Sequence, residues 1–411
     1  MSEKVVLAYS GGLDTSVAIR WLNEKYGYDV VAVTIDVGSE KDSSTVKEKA
    51  LQVGAVKAIV VDAKKAFVDD YIFAALKAGA IYENTYPMAT ALARPLIAKI
   101  LTDVALEEGA VAIAHGCTGK GNDQVRFEVA INALAPNMKI LAPAREWGMT
   151  REETIQYAER YGIPVPVKSG HAYSVDENIW GRSVECGILE DPWAEPPAEV
   201  YIWTKSPTDA PDLPAYCEIT FEKGVPIALD GKGMDGLELI NTLHEIAGTH
   251  GVGRIDHVEN RLVGIKSREI YEAPAALTLL AAHQALEDLT LAKDQARFKL
   301  KVTQEFSDII YNGLWFTANR VDLSAYVDST QRLVSGTVRI KFSKGNCIVV
   351  GRKSPNSLYA HNLATYEKGD QFDQSAAAGF IYIFGLPVKT QAQLQPIFDN
   401  TSEKKDEGSG K

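Results

Sequence analysis

Continuous apolar and β-branched runs mark the first part of the chain at Val5–Ala8, Val30–Ile35, Ala58–Val61, Ala110–Ala114 and Lys139–Leu141. Runs without polar alternation suit strands buried on both faces of a parallel sheet. Between them apolar positions recur at helical spacing, which predicts helices near 14–26, 43–53, 64–78, 89–108, 123–134 and 150–161. Repeated strand–helix alternation implies an α/β fold over residues 1–165, a doubly wound parallel sheet with ligands at the carboxyl ends of its strands.

The texture changes at Ile163-Pro164-Val165-Pro166-Val167-Lys168-Ser169-Gly170, read as a linker. Residues 171–193 are polar and aromatic with little periodicity, and predict a loop-rich region. A larger, mixed α+β domain is expected over 170–365. Its hairpins are predicted at Ala215–Phe221 with Val225–Leu229, around Lys223-Gly224, and at Val334–Phe342 with Asn346–Gly351, around Lys344-Gly345. Helical patterns cover 236–248, 273–311 (open to a break) and 323–333. A C-terminal arm over 366–398 carries a helical pattern at 374–385, and the charged, Gly/Ser-bearing end, 399–411, reads as a disordered tail.

The first strand ends in Tyr9-Ser10-Gly11-Gly12-Leu13-Asp14-Thr15-Ser16 and runs straight into a helix. Two glycines let the backbone turn tightly and approach a ligand. The helix points free N–H groups and its positive dipole end at that turn. Ser10, Thr15 and Ser16 add hydroxyls, and Asp14 adds a carboxylate able to hold Mg²⁺ against phosphate oxygens. The stretch reads as a phosphate cradle and lacks the Gly-Lys-Ser/Thr of a Walker A loop. The alternative is an ordinary β–α turn, which a bare Gly-Gly would favour; Ser-Gly-Gly-x-Asp-x-Ser directly after a buried-type strand is more specific and favours the phosphate reading.

A second glycine-rich loop, His115-Gly116-Cys117-Thr118-Gly119-Lys120-Gly121-Asn122-Asp123, follows the strand at 110–114 and should face the same crevice. Thr118, Asn122, Asp123 and the following Arg126 bring hydroxyl, amide, carboxylate and guanidinium together. Carboxylate plus guanidinium is what an amino acid's ammonium and carboxylate demand. The alternative is a solvated turn with Asn122 or Asp123 as helix cap.

Composition narrows the class. Hydrophobic residues make up 46% and charged residues 24% of the 411, and net charge is −11 with no basic stretch. That is ordinary for a soluble, cytoplasmic protein and argues against a nucleic-acid substrate. No apolar run reaches membrane-spanning length. Cys117, Cys186, Cys217 and Cys347 lie far apart and read as reduced thiols. Gly231-Lys232-Gly233-Met234-Asp235-Gly236 matches G-x-G-x-x-G, yet follows an expected antiparallel hairpin, so a turn with Asp235 as helix cap is the reading. His244-Glu245 is followed by Gly248 where a zinc motif needs a second His, and no protein-bound metal is assigned.

The first loop resembles the pyrophosphatase loop of the ATP-pyrophosphatase superfamily. With Ala93-Arg94-Pro95, His115–Glu128, Ser174–Asp191 and Gly264–Pro274, the chain resembles the argininosuccinate synthase (citrulline–aspartate ligase) family from about residue 5 to about 390. Gly116-Cys117-Thr118-Gly119-Lys120-Gly121-Asn122-Asp123-Gln124-Val125-Arg126-Phe127-Glu128 is the most specific segment. The resemblance implies that Ala8, Tyr9, Ser10, Gly11, Gly12, Leu13, Asp14, Thr15, Ser16 and Gly116 bind ATP. It implies that Thr118, Asn122 and Asp123 hold aspartate, and that Tyr86, Asn122, Arg126, Ser174, Ser183, Glu259 and Tyr271 hold citrulline. Taken singly, Ser174, Ser183, Glu259 and Tyr271 would pass as surface or capping residues. Ser10, Asp14 and Asp123 are the catalytic candidates. Some members carry a serine five residues after the tyrosine matching Tyr86; here Ala91 stands there, and Thr90 is offered for that contact. The implied reaction uses MgATP with no tightly bound cofactor, passes through a citrullyl-adenylate, and occurs in a homotetramer whose C-terminal helix reaches a neighbour. A relative with another acceptor, thiolating tRNA or forming an amide, fits the first loop but not the acidic charge or the second loop. A silent homologue would not be expected to keep Ser10, Asp14, Asp123 and Arg126.

Overall fold

A computed structural model of the chain describes residues 2–39, 43–164 and 173–395. The chain divides into two compact units, at Leu358/Tyr359. Parts of the expected linker and the whole 399–411 tail lie outside the described residues.

The first sheet holds β1 (Lys4–Ala8), β2 (Asp29–Asp36), β3 (Lys57–Asp62), β4 (Ala112–Ala114) and β5 (Lys139–Leu141), in the order β3-β2-β1-β4-β5. All four pairings are parallel, with Val5 opposite Val30 on one side and Ala112 on the other. Val5, Val6 and Leu7 are fully buried, so the unbroken apolar run of β1 is the signature of a strand covered on both faces. The chain moves outward from β1 through β2 to β3, then crosses back past β1 to form β4. The connection therefore reverses between β1 and β4, and a crevice opens where the carboxyl ends of those strands diverge.

The predicted helices are present at Leu13–Tyr26, Ser43–Val53, Ala89–Glu107, Asp123–Leu134 and Arg151–Arg160. The one expected over 64–78 has a π-helical segment, Phe67–Ile72, between α-helical Lys64–Ala66 and Phe73–Ala78. Leu13–Tyr26 starts at Gly12 without a side-chain cap, so its first N–H groups face the turn.

Among the described residues nine strands follow in chain order: β6 (Ser174–Asn178), β7 (Gly181–Glu185), β8 (Ala215–Glu222), β9 (Val225–Leu229), β10 (Lys232–Gly233), β11 (Arg254–Asn260), β12 (Lys266–Glu272), β13 (Gly336–Ser343) and β14 (Asn346–Lys353). They form two antiparallel sheets, β10-β9-β8-β13-β14 and β11-β12-β7-β6. Both predicted hairpins fall in the first of these. Asp235 accepts a hydrogen bond from the Glu238 N–H at 2.8 Å and caps the helix Gly236–Thr249, while β9 and β10 pair antiparallel, as a turn rather than a dinucleotide motif requires.

The four-stranded sheet corrects the sequence reading, which treats 171–193 as loop-rich. Residues 174–185 instead form a tight hairpin, β6 with β7. Its strands, Ser-Val-Asp-Glu-Asn and Gly-Arg-Ser-Val-Glu, are polar because one face of this sheet lines a crevice rather than a core. The long pattern over 273–311 resolves into the helices Pro274–Thr290 and Lys293–Tyr311, and the next helix covers Ala318–Gln331. The second unit carries the helix Ala376–Leu394, which continues past the predicted end through Pro387. No described helix is long and apolar enough to cross a membrane.

Candidate functional site

A crevice of about 690 Å³ lies at the carboxyl ends of β1, β2 and β4 and is walled by β6, β7, β11 and β12. Both glycine-rich loops reach it.

Ala8, Tyr9, Ser10 and Thr15 line the crevice. Gly11, Gly12, Leu13, Asp14 and Ser16 lie outside its lining, with Asp14 exposed on the first turn of its helix and Ser16 buried beneath the turn. Gly11 has φ +73°, a conformation that a side chain rarely adopts. The Ser10 hydroxyl sits 3.2 Å from that of Thr15, and the Tyr9 and Ser16 hydroxyls are 3.1 Å apart. Lys49 donates to the Gly11 carbonyl at 2.8 Å and the Thr34 hydroxyl donates to the Tyr9 carbonyl at 2.9 Å, so the turn is held from both sides.

Gly116 packs directly on this turn: a Cβ there would lie 2.7 Å from Thr15 Cγ2. Its loop is pinned by Gln124, which donates to the Gly119 carbonyl at 2.6 Å and accepts from Arg145 at 3.0 Å. Thr118 lines the crevice and is exposed. Asn122 stands at the helix start but caps nothing with its side chain. Its amide oxygen accepts from the Leu262 N–H at 2.8 Å, and its amide nitrogen donates to the Tyr311 hydroxyl at 2.9 Å. The cap reading therefore fails for Asn122. Asp123 pairs with Arg126 at 3.0 Å and Arg94 at 2.7 Å. Burial raises its carboxyl, but the two guanidinium groups outweigh that and hold it below the ordinary carboxylate range.

The opposite wall gathers the remaining residues. Tyr86 is buried and stacks on Tyr271 with ring centres 4.0 Å apart. Its hydroxyl accepts from the Thr90 N–H at 3.1 Å; Thr90 lines the crevice, whereas Ala91 is buried in the core. The Tyr271 hydroxyl donates to one oxygen of Glu259 at 2.5 Å and the Tyr311 hydroxyl to the other at 2.6 Å. Ser183, on β7, sits opposite both Tyr271 and Asp176 in the sheet. Ser174 begins β6 at the crevice. The residues expected to hold citrulline and those expected to hold aspartate thus meet in one cavity, next to the β1 turn.

Two family models cover nearly the whole chain: the Arginosuccinate synthase N-terminal HUP domain matches residues 4–164 and the Arginosuccinate synthase C-terminal domain matches 173–391. The chain belongs to the argininosuccinate synthase family. An argininosuccinate synthase of Dehalococcoides mccartyi is 66% identical over 399 residues, 97% of this chain and 98% of the relative. Those of Oceanobacillus iheyensis and Listeria monocytogenes are 59% and 57% identical, over 95% and 98% of this chain and 94% and 99% of theirs.

Other crevice residues of this family member were given no role by the reading of its sequence, although Arg94, Glu185 and Glu269 lie in segments that it names. Arg94 reaches both Asp123 and Asp176 and so ties the first domain to β6. Its signal was a charged side chain flanked by the apolar positions Leu92, Ala93, Pro95 and Leu96 of the helix Ala89–Glu107. Arg261 pairs with Glu185 and, at 3.1 Å, with Glu269. Burial pushes the Glu269 carboxyl up, and Glu185 and Glu259 push it further, against the pull of Arg261. Arg261, Glu185 and Glu269 sit on or beside polar strands, where no periodicity marked them.

Proposed function

We propose that the chain condenses L-citrulline with L-aspartate to give argininosuccinate, splitting ATP into AMP and pyrophosphate in this crevice. The observation that carries the reading is the meeting, in one cavity, of the β1 turn with the Asn122–Asp123–Arg126 group and the Glu259–Tyr271 wall. The reaction uses MgATP as substrate and takes place in the cytoplasm, in a homotetramer.

The ureido oxygen of citrulline attacks the α phosphorus, and pyrophosphate leaves from a citrullyl-adenylate. The turn at Ser10–Ser16 and the uncapped start of the helix Leu13–Tyr26 present N–H and hydroxyl donors to the departing pyrophosphate, and Asp14, on the first turn of that helix, would supply a carboxylate to the Mg²⁺ of the nucleotide. Gly116 contacts the nucleotide beside Thr15. Tyr86, Arg126, Ser174, Ser183, Glu259 and Tyr271 hold citrulline by its charged end, and Asn122 touches both amino acids. The amino group of aspartate, held by Thr118 and Asp123, then attacks the activated ureido carbon and expels AMP. Asp123, kept anionic by two guanidinium groups, is a weak base; its larger contribution is charge against the aspartate ammonium. The intermediate forms on the substrate, so no protein nucleophile is needed. Positioning three substrates supplies most of the acceleration, an effect worth up to ~7–11 kcal/mol.

Incubation with MgATP, aspartate and citrulline carrying ¹⁸O in its ureido group tests both levels. Argininosuccinate with equal AMP and pyrophosphate is expected, lost when citrulline is omitted, and ¹⁸O is expected in the AMP phosphate. ADP as product would overturn the α/β cleavage. Unlabelled AMP would overturn the adenylate.

A further inference from the structure

Tyr311 lines no part of the crevice, yet its hydroxyl and carbonyl bind three of the residues proposed to hold citrulline. It ends the helix Lys293–Tyr311 and is buried. Its hydroxyl accepts from Asn122 and donates to Glu259. Its carbonyl, at the helix C-terminus, accepts from Arg126 Nε at 2.8 Å, and its ring lies under the Arg126 guanidinium at 4.7 Å. Tyr82 stacks on the ring with centres 3.5 Å apart.

The polarity of this chain of bonds is determined. The Leu262 N–H can only donate, so the Asn122 oxygen must face it and the Asn122 NH₂ must face Tyr311. An NH₂ group accepts nothing, so the single Tyr311 proton must go to Glu259. Burial, and Glu259 beside it, push the Tyr311 phenol up, so that proton stays on the hydroxyl. Glu259 accepts from Tyr311 at one oxygen and Tyr271 at the other, which fixes the plane of its carboxylate.

We infer that Tyr311 is a positioning residue for citrulline, orienting Glu259, Asn122 and Arg126 from behind the crevice. This rests on the proposed reaction. Tyr311→Phe keeps the ring, its stack and the carbonyl, and removes the one oxygen that links Asn122 to Glu259. Steady-state kinetics should show the KM for citrulline rising roughly ten- to hundred-fold, the loss expected for a buried hydrogen bond to a charged group. The KM for MgATP and kcat at saturating citrulline should change by less than about twofold. Thermal unfolding checks that the variant is folded. An unchanged KM for citrulline overturns the inference. So does a matching loss for MgATP, which would make Tyr311 a structural residue only. If the unaltered chain fails to consume citrulline, the proposed reaction falls instead.

Discussion

Asp123 and Glu269 face one crevice and are pushed in opposite directions. Asp123 lies between Arg94 and Arg126, and its carboxyl is held low despite burial. Glu269 shares Arg261 with Glu185, and burial with that second carboxylate drives it high. The two therefore shape the pH dependence of stability with opposite signs. A carboxyl whose folded value lies below its unfolded value, about 3.9 for Asp, stabilises above that pH and loses the contribution as pH falls through the folded value. Asp123→Asn should therefore melt below the unaltered chain at pH 7, with the gap closing below about pH 4. A carboxyl raised above its unfolded value, about 4.3 for Glu, stabilises below that pH and loses the contribution as pH rises toward the folded value. Glu269→Gln should match the unaltered chain near pH 4 and melt above it at pH 8. Calorimetry across that range checks both, and parallel curves for either variant would remove the assigned shift. The Asp123–Arg126 pair was legible because it sits three residues apart on one helix. Arg94 and Glu269 were given no role, since the partners of Arg94 come from distant segments and Arg261 reaches Glu269 only across the β11–β12 turn.

Among elements, strongly periodic segments were the ones read well. The parallel strands and their helices stand within a residue or two of their predicted spans, because burial on both faces leaves an uninterrupted apolar run. The β6–β7 hairpin and the β11–β12 pair hid because a sheet that faces a cavity needs polar side chains there. Where two well-read elements touch, a prediction follows. The turns after β1 and β4 meet at Gly116 and Thr15, where an added Cβ would come within 2.7 Å of the Thr15 methyl. Gly116→Ala should force the turns apart and raise the KM for MgATP about tenfold, an overpacking effect of common size. Thr15→Ser removes that methyl and keeps the hydroxyl. The double variant should then recover most of the loss, a coupling that a double-mutant cycle measures. Additive losses would show that the contact does not set the approach of the two turns.

For the whole molecule, every candidate site residue falls within the unit that ends at Leu358, and the second unit is left with a different task. Bringing Ser174, Ser183, Glu259 and Tyr271 to the crevice depends on pairings such as Ser183 with Tyr271, which no local spacing encodes. The second unit, by contrast, declared its problem in the sequence. Phe380, Ile381, Tyr382, Ile383 and Phe384 are consecutive in the helix Ala376–Leu394 and 65–72% exposed. At about 100° per residue they point all round the helix, and a helix apolar on every side needs cover. Each such side chain gains about 1.5–3 kcal/mol on full burial. No described helix is long and apolar enough to cross a membrane. Neighbouring copies in a homotetramer supply that cover in our reading. Phe380 and Phe384 stack 5.3 Å apart on one face, so Phe380→Asp with Phe384→Asp places two charges in the expected contact. Light scattering should find the unaltered protein as four 44.8 kDa chains and the variant as smaller species. Because the crevice residues all precede Leu358, the smaller species should still bind MgATP. A variant that stays tetrameric would remove the helix from the interface, and an unaltered chain that runs as a monomer would remove the tetramer itself.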